Sequence, residues 1–251
     1  MKDIKNIQLG APIEYNYLGI KRRSNIIRRH VSLKNKYFLD IGCGNGAQTI
    51  DLLRYAKGCI AIDVEKERLE VFQWQLRKRG IRNCKIRMMN AMNLYFLNKT
   101  FDTIFCIETL EHIKEQEKAL NEMYRVLKDN GDLVLSVPNR WWIFETHGAN
   151  LPLLSWNRVP FFSWLPKKIH DKYAYARTYT KKEIVDLVYR AGFRNIRTEF
   201  MMPPLDRLEN KFLQNFFRHI IFFIRKNPIK NFWSFNIYIC SKREFREPKS
   251  G

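Results

Sequence analysis

The sequence predicts a doubly wound, mostly parallel α/β sheet, and three observations carry that prediction. Short apolar runs alternate with stretches of helical periodicity between residues 37 and 138, the pattern of successive βαβ units. The first run ends in Asp40-Ile41 and passes straight into Gly42-Cys43-Gly44-Asn45-Gly46. Three glycines at alternate positions surrender backbone order at one place, as a turn does when a ligand must come close to bare main chain. The second run, Cys59 to Asp63, ends on an acid.

The elements follow in order. Residues 1–36 are expected to form a helical N-terminal extension. YFLDI (37–41) is bounded by turn signals, as a buried parallel strand is. Ile50, Leu53 and Ala56 then recur at helical spacing. CIAID (59–63) is the second strand. Leu69, Phe72 and Leu76 mark the next helix, which Gly80 stops. KIRMM (85–89) and FDTIFCI (101–107) are strands three and four. Leu120, Met123 and Leu127 share a helix face that Asn130-Gly131 is expected to end. DLVLSVP (132–138) is the fifth strand and closes a cofactor-binding core over 37–138. Thr180 and Glu183 form a capping box opening a helix with Ile184, Leu187, Val188 and Ala191. FRNIRTEF (193–200) and FNIYIC (235–240) complete the strands. The whole chain, 1–251, reads as one domain. Residues 139–179 form a lid insertion after strand five. The remainder, 180–251, completes the sheet and carries a helical insertion at 201–232. Long insertions in a compact domain are usually functional.

Composition narrows the partners. The net charge is +20, which favours an anionic partner such as nucleic acid, an anionic membrane or a phosphorylated substrate. Lys21, Arg22, Arg23, Arg28, Arg29, Lys34 and Lys36 concentrate the charge near the N-terminus. The five cysteines are scattered and lack CxxC spacing, so neither a metal site nor a disulfide framework is expected, and a cytoplasmic setting is. No signal peptide or membrane-spanning run is visible.

The glycine turn opens a helix, and its G-x-G-x-G spacing differs from the G-x-G-x-x-G of dinucleotide sites. Asp40 would repel a pyrophosphate and suits a cationic ligand. Asp63, about 20 residues on, can accept both hydroxyls of a ribose. The ligand implied is an adenosine-like nucleoside bearing a positive group, S-adenosylmethionine. FLDIGCGNG, CIAID, MNAMNLYF, FDTIFCIETLEHI and YRVLKDNGDLVLSVPN resemble the class I S-adenosylmethionine-dependent methyltransferases of the small-molecule type, similar to the quinone-biosynthesis O-methyltransferases. The resemblance implies a seven-stranded Rossmann-like sheet whose last strand is antiparallel. It also implies that Asp40, Gly42, Gly44 and Gly46 border the methionine half of the cofactor. Asp63 and its neighbour Val64 would lie at the ribose, and Ile107 and Glu108 beside the cofactor. The family's Asp-Ala at the adenine is Asn90-Ala91 here, and an asparagine oxygen can still accept the adenine amino hydrogen bond.

Methyl transfer to oxygen needs alignment, exclusion of water and usually a general base. Glu108, Glu111 and His112 in ETLEHI are candidates; His147 is a further catalytic candidate, and His170 is expected to be structural. The aromatic-rich insertion suits a flat or greasy acceptor. Phe212, Phe216, Ile220 and Phe223 would line one face of a helix over 205–226 flanked by Arg218, Arg225 and Lys226, fitting peripheral contact with an anionic membrane or burial against protein. The expected activity is methyl transfer to a small or lipid-like acceptor, at oxygen. An RNA methyltransferase is the first rival, although nucleic acid is disfavoured by the absence of Asn/Asp-Pro-Pro-Tyr after strand four. A cofactor-binding interaction protein without turnover is the second. Oligomeric state is not readable.

Overall fold

The computed structural model describes residues 18–143, 147–149, 160–201 and 236–243. Its centre is a seven-stranded sheet in the order β3-β2-β1-β4-β5-β7-β6. The strands are β1 (Tyr37–Ile41), β2 (Gly58–Asp63), β3 (Cys84–Met88), β4 (Phe101–Ile107), β5 (Leu127–Pro138), β6 (Phe193–Met201) and β7 (Asn236–Arg243). Strands β1 to β5 run parallel, and β7 is antiparallel to both β5 and β6. The chain winds outward from β1 in one direction and from β4 in the other. The crevice where the order reverses, at the carboxyl ends of β1 and β4, is where such sheets bind ligands.

Alternation along β1 separates two cores. Leu39 and Ile41 face a cluster containing Leu120 and Met123 of α4 (Gln116–Val126) and Ile184, Leu187 and Val188 of α6 (Lys181–Arg190). Phe38 faces the other side, where Ile26 and Ile27 of α1 (Leu18–His30) and Leu52 and Leu53 of α2 (Ala47–Leu53) pack. Phe72 and Leu76 of α3 (Lys66–Lys78) cover Ala61 of β2. Buried on both faces, the central strands read as continuous apolar runs rather than alternating ones. The capping box at Thr180 is present, with the Thr180 hydroxyl accepting from Glu183 N–H and the Glu183 carboxylate accepting from Thr180 N–H.

Two boundaries differ from the sequence reading. The expected N-terminal helix is α1, ending at His30; residues 31–36 are not helical and 1–17 lie outside the described residues. Helix α4 stops at Val126 rather than Asn130, because Leu127 already pairs with Phe101 as the first residue of β5. The ladder shifts register directly afterwards, and Asn130 turns with φ 59°. The helical segment expected at 205–226 lies outside the described residues.

The glycine turn is clasped to its neighbours. Gly42 and Cys43 both donate their amides to Ile62 O, at 2.8 and 3.0 Å. Gly42 has φ 72° and Gly46 φ 83°, conformations that L side chains rarely adopt. A Cβ at Gly42 would lie 2.3 Å from the Thr109 side chain, and one at Gly46 2.0 Å from the Phe72 ring. These two glycines are therefore required by the protein's own packing, before any ligand approaches. Gly80 also has positive φ (65°), but nothing lies within 4 Å of its Cβ position. Gly46→Ala is expected to lose about 2–4 kcal/mol of folding stability, from the left-handed backbone and overpacking together. Gly80→Ala should lose only the backbone part, about 1–2 kcal/mol. Urea denaturation without cofactor compares them, and equal losses would contradict the packing role of Gly46.

Candidate functional site

The site is built where β1, β2 and β4 end. Asp40, the penultimate residue of β1, is 4% exposed, and the Thr49 hydroxyl of α2 donates to its carboxyl at 2.5 Å. Asp63 ends β2 and is also buried. Its Oδ2 accepts from Gly44 N–H at 2.8 Å and its Oδ1 from Glu65 N–H at 3.0 Å. The residue expected to meet a ribose thus also braces the glycine turn. Val64 beside it is exposed. Beyond β3, Met89 N–H donates to Asp63 O. Asn90 is exposed and its Oδ1 accepts from Met92 N–H at 2.9 Å, while Ala91 is buried. The sequence-predicted cofactor residues Asp40, Gly42, Gly44, Gly46, Asp63 and Val64 thus fall on adjoining loops. Asn90 and Ala91 follow the neighbouring strand, and Ile107 and Glu108 close β4.

Glu108 carries φ 52°, a position where a non-glycine residue points to functional constraint. Its Oε1 accepts from Ser136 Oγ of β5 and Asn236 Nδ2 of β7. Its Oε2 lies 3.9 Å from the Arg23 guanidinium of α1, itself 3% exposed. One carboxylate therefore joins four elements. Thr109 next to it packs on Gly42, which brings the loop after β4 against the glycine turn.

That loop continues into a 3₁₀ turn, Leu110–His112. Glu111 is fully buried, and neither carboxylate oxygen meets a hydrogen-bond donor in bonding geometry. Burial and the nearby Glu108 charge raise its pKa well above the ordinary carboxylate range. His147, from the insertion after β5, brings Nε2 to 3.6 Å from Glu111 Oε1. The His112 and His147 rings meet edge to face, with centroids 5.0 Å apart. The structure thus assembles Glu111, His112 and His147 from two separate segments, while Glu108 is engaged with its own partners. His170 is fully buried and packs on Phe162, with Nδ1 3.0 Å from Asp171.

The insertion is tied down at its base. Asn139 and Tyr179 form an isolated bridge, with Tyr179 N–H donating to Pro138 O and Arg140 N–H to Tyr179 O. Arg177, also buried, donates to Ile113 O at 2.6 Å and Lys114 O at 3.2 Å, and its amide to Glu111 O. Gln116 donates to Leu110 O and to the Tyr179 hydroxyl. Phe162 is buried with Ala149 and Ala174, whereas Phe161, Trp164, Leu165 and Ile169 are exposed. The described part of the insertion is thus partly a small core and partly surface.

Sequence reasoning placed Arg23 in the basic N-terminal block without choosing it for the site, and missed Arg177 and Asn236. Arg23 had a readable signal: it lies in helical phase with Ile20, Ile26 and Ile27, a cation on an otherwise apolar, inward face. Arg177 and Asn236 act through backbone and tertiary contacts that no local pattern encodes.

Burial pushes the Asp40 carboxyl up to about 7 in spite of the Thr49 hydrogen bond, and the Asp63 charge adds to the effect. The folded state therefore holds a proton that the unfolded chain has lost between about pH 4 and 7. The stability this proton contributes is full below the unfolded pKa and is lost as pH rises to the folded value. Asp40→Asn should consequently gain stability relative to the wild type as pH rises across that window, with a plateau above it. Urea denaturation at pH 4.5 and 7.5 without cofactor measures this; a constant difference would contradict it.

Residues 39–135 match the family described as "Methyltransferase domain". The chain is 34% identical over 97 residues to the uncharacterized methyltransferase YcgJ of Bacillus subtilis, covering 39% of this chain and 38% of that protein. It is 27% identical over 166 residues to the ubiquinone biosynthesis O-methyltransferase of Pelagibacter ubique, covering 64% of each. The fold is shared with the crystal structure of the [4+2]-cyclase SpnF at a TM-score of 0.61 and 15% identity, over 96% of this chain and 88% of that one. These matches show a methyltransferase domain over residues 39–135, and the strand order and clasped glycine turn are those of a Rossmann-like sheet similar to that of S-adenosylmethionine-dependent methyltransferases.

Proposed function

We propose that this enzyme transfers a methyl group to an oxygen of a small or lipid-like acceptor. The observation that carries the proposal is the grouping of buried Glu111 with half-buried His112 and His147. It joins the loop after β4, whose Thr109 packs on Gly42 of the glycine turn, to His147 of the insertion. The ubiquinone biosynthesis O-methyltransferase relative supports the oxygen reading by name. The likeness to a cyclase supports only the fold, because fold alone does not choose a reaction.

The residues present fit S-adenosylmethionine. The desolvated Asp40 carboxyl favours a cationic partner, and the ligand's ammonium is one. Arg23, buried within reach of the site, suits its carboxylate. Asp63 retains acceptor capacity for ribose hydroxyls beyond its two amide donors. Val64, Asn90, Ala91 and Ile107 would border the adenine side, and Gly42, Gly44 and Gly46 the methionine side. When bound, the cofactor supplies an electrophilic methyl group on a sulfonium. His112 or His147 would accept the acceptor's hydroxyl proton as its oxygen forms the new carbon–oxygen bond and the carbon–sulfur bond breaks. The insertion would exclude water.

Exposed Phe161, Trp164, Leu165 and Ile169 lie among Lys167, Lys168 and Lys172. This combination supports contact with an anionic membrane surface, where each well-placed lysine contributes roughly 1 kcal/mol. The described helices contain none long and apolar enough to cross a membrane.

Incubation with methyl-labelled S-adenosylmethionine and separate lipid, RNA and polar-metabolite extracts should place label in the lipid or polar-metabolite fraction as a base-resistant methyl ether. His112→Ala should slow that labelling by about 10²-fold or more, the contribution of a positioned base. Label confined to RNA would establish the nucleic-acid rival, and cofactor binding without label in any fraction would leave an interaction protein. In vesicle sedimentation, Trp164→Ser/Ile169→Ser should release the protein from anionic vesicles while its fold persists, since both side chains are exposed. A wild type that ignores such vesicles would end the membrane reading.

A further inference from the structure

We infer that Glu111, His112 and His147 form a binding site for a divalent transition-metal cation, with zinc and iron(II) the best matched. Each residue offers one ligand atom, and the three atoms lie within 4.8 Å of one another. Ligands bonded at about 2.0–2.2 Å to one cation sit up to about 4.4 Å apart. Small side-chain rotations therefore suffice to close the set. Two imidazoles and one carboxylate are the donors that suit such cations and leave coordination positions open.

The second observation concerns Glu111 by itself. A fully buried carboxyl whose oxygens meet no donor in bonding geometry is costly. The cost is removed by a proton or by a cation at bonding distance. Arg23 lies nearby, but its guanidinium contacts the other carboxylate, Glu108. A metal bound there would give the buried Glu111 carboxylate a cationic partner and take the two imidazoles as further donors.

The third observation is rigidity. The turn that carries Glu111 and His112 is held by Arg177 at Ile113 O and Lys114 O, by Arg177 N–H at Glu111 O, and by Gln116 at Leu110 O. Side chains fixed in this way form a pre-organised set, as metal sites require. His147 arrives on the insertion, so the site is complete only when the insertion lies against the loop after β4.

The location supplies a role. A hydroxyl bound to such a cation ionises at lower pH. The acceptor oxygen would therefore be held as a nucleophile next to the cofactor's methyl group, its proton passing to solvent, because the coordinated imidazoles would no longer be the base. That role rests on the methyl-transfer reading above; the binding does not.

The test uses the full chain, stripped with a chelator and dialysed, then titrated with cobalt(II) alone, without cofactor or acceptor. One equivalent should bind, with visible d–d absorption of an imidazole–carboxylate site, and zinc should displace it. Glu111→Gln and His147→Ala should each weaken binding at least tenfold. Should Glu111→Gln fail to fold, His147→Ala, altered in a loop, retains the readout; circular dichroism and calorimetric S-adenosylmethionine binding report on its integrity. The absence of d–d absorption, or cobalt affinity unchanged in His147→Ala, would overturn the inference and leave a proton-relaying Glu–His group. If cobalt binds as expected but no extract accepts label, the acceptor reading fails and the metal site stands.

Discussion

The grip on the glycine turn is the constraint on which the ligand side of this molecule depends. Two consecutive amides, Gly42 and Cys43, share Ile62 O, and the next glycine amide reaches the Asp63 carboxylate. Thr109 packs onto Gly42 from the other neighbouring strand. The turn is thereby fixed between β2 and β4 without a ligand. Affinity is then not reduced by ordering the loop on binding, and a sulfonium held there would face a fixed direction. Asp63 braces the turn from the carboxyl end of β2, so a ligand that met it there would bear on the turn as well.

The charges within the site oppose those of the molecule. A chain of net charge +20 gathers Asp40, Asp63, Glu108 and Glu111 at the carboxyl ends of three neighbouring strands. Among the described residues, Arg23 is a buried cation close to one of these carboxylates, Glu108. Burial holds the Asp40 and Glu111 protons more tightly than water would. The same desolvation makes the pocket receptive to cations. A cationic cofactor and a metal ion would each relieve a different part of this excess. The overall basic charge, by contrast, concerns what meets the outer surface.

The fold was legible because its cues are local. All seven strands were read from the sequence, five of them as short apolar runs between turn residues and β3 and β6 as mixed segments. The capping box at Thr180 appeared where two residues in the sequence placed it. The end of α4 was misread because Leu127 fits helical phase equally well, and only pairing with Phe101 assigns it to β5. The glycines were read as serving a ligand, whereas Thr109 and Phe72 already require two of them. His112 and His147 were both singled out, yet their meeting at Glu111 depends on how the insertion folds back. No periodicity carries that information. Arg177, which pins the loop from 63 residues away, was invisible for the same reason.

The closed base of the insertion has an evolutionary consequence. Because Asn139 and Tyr179 are already bridged, the two ends of this excursion stay side by side whatever its interior contains. Loop-closure entropy rises only slowly with added length. Residues between these anchors could therefore drift, lengthen or shrink under selection with little penalty to the sheet, while the half that cradles the nucleoside stays constant. Such a lineage would acquire new acceptors by rewriting one module, and His147 would be the residue through which that module remains answerable to the chemistry.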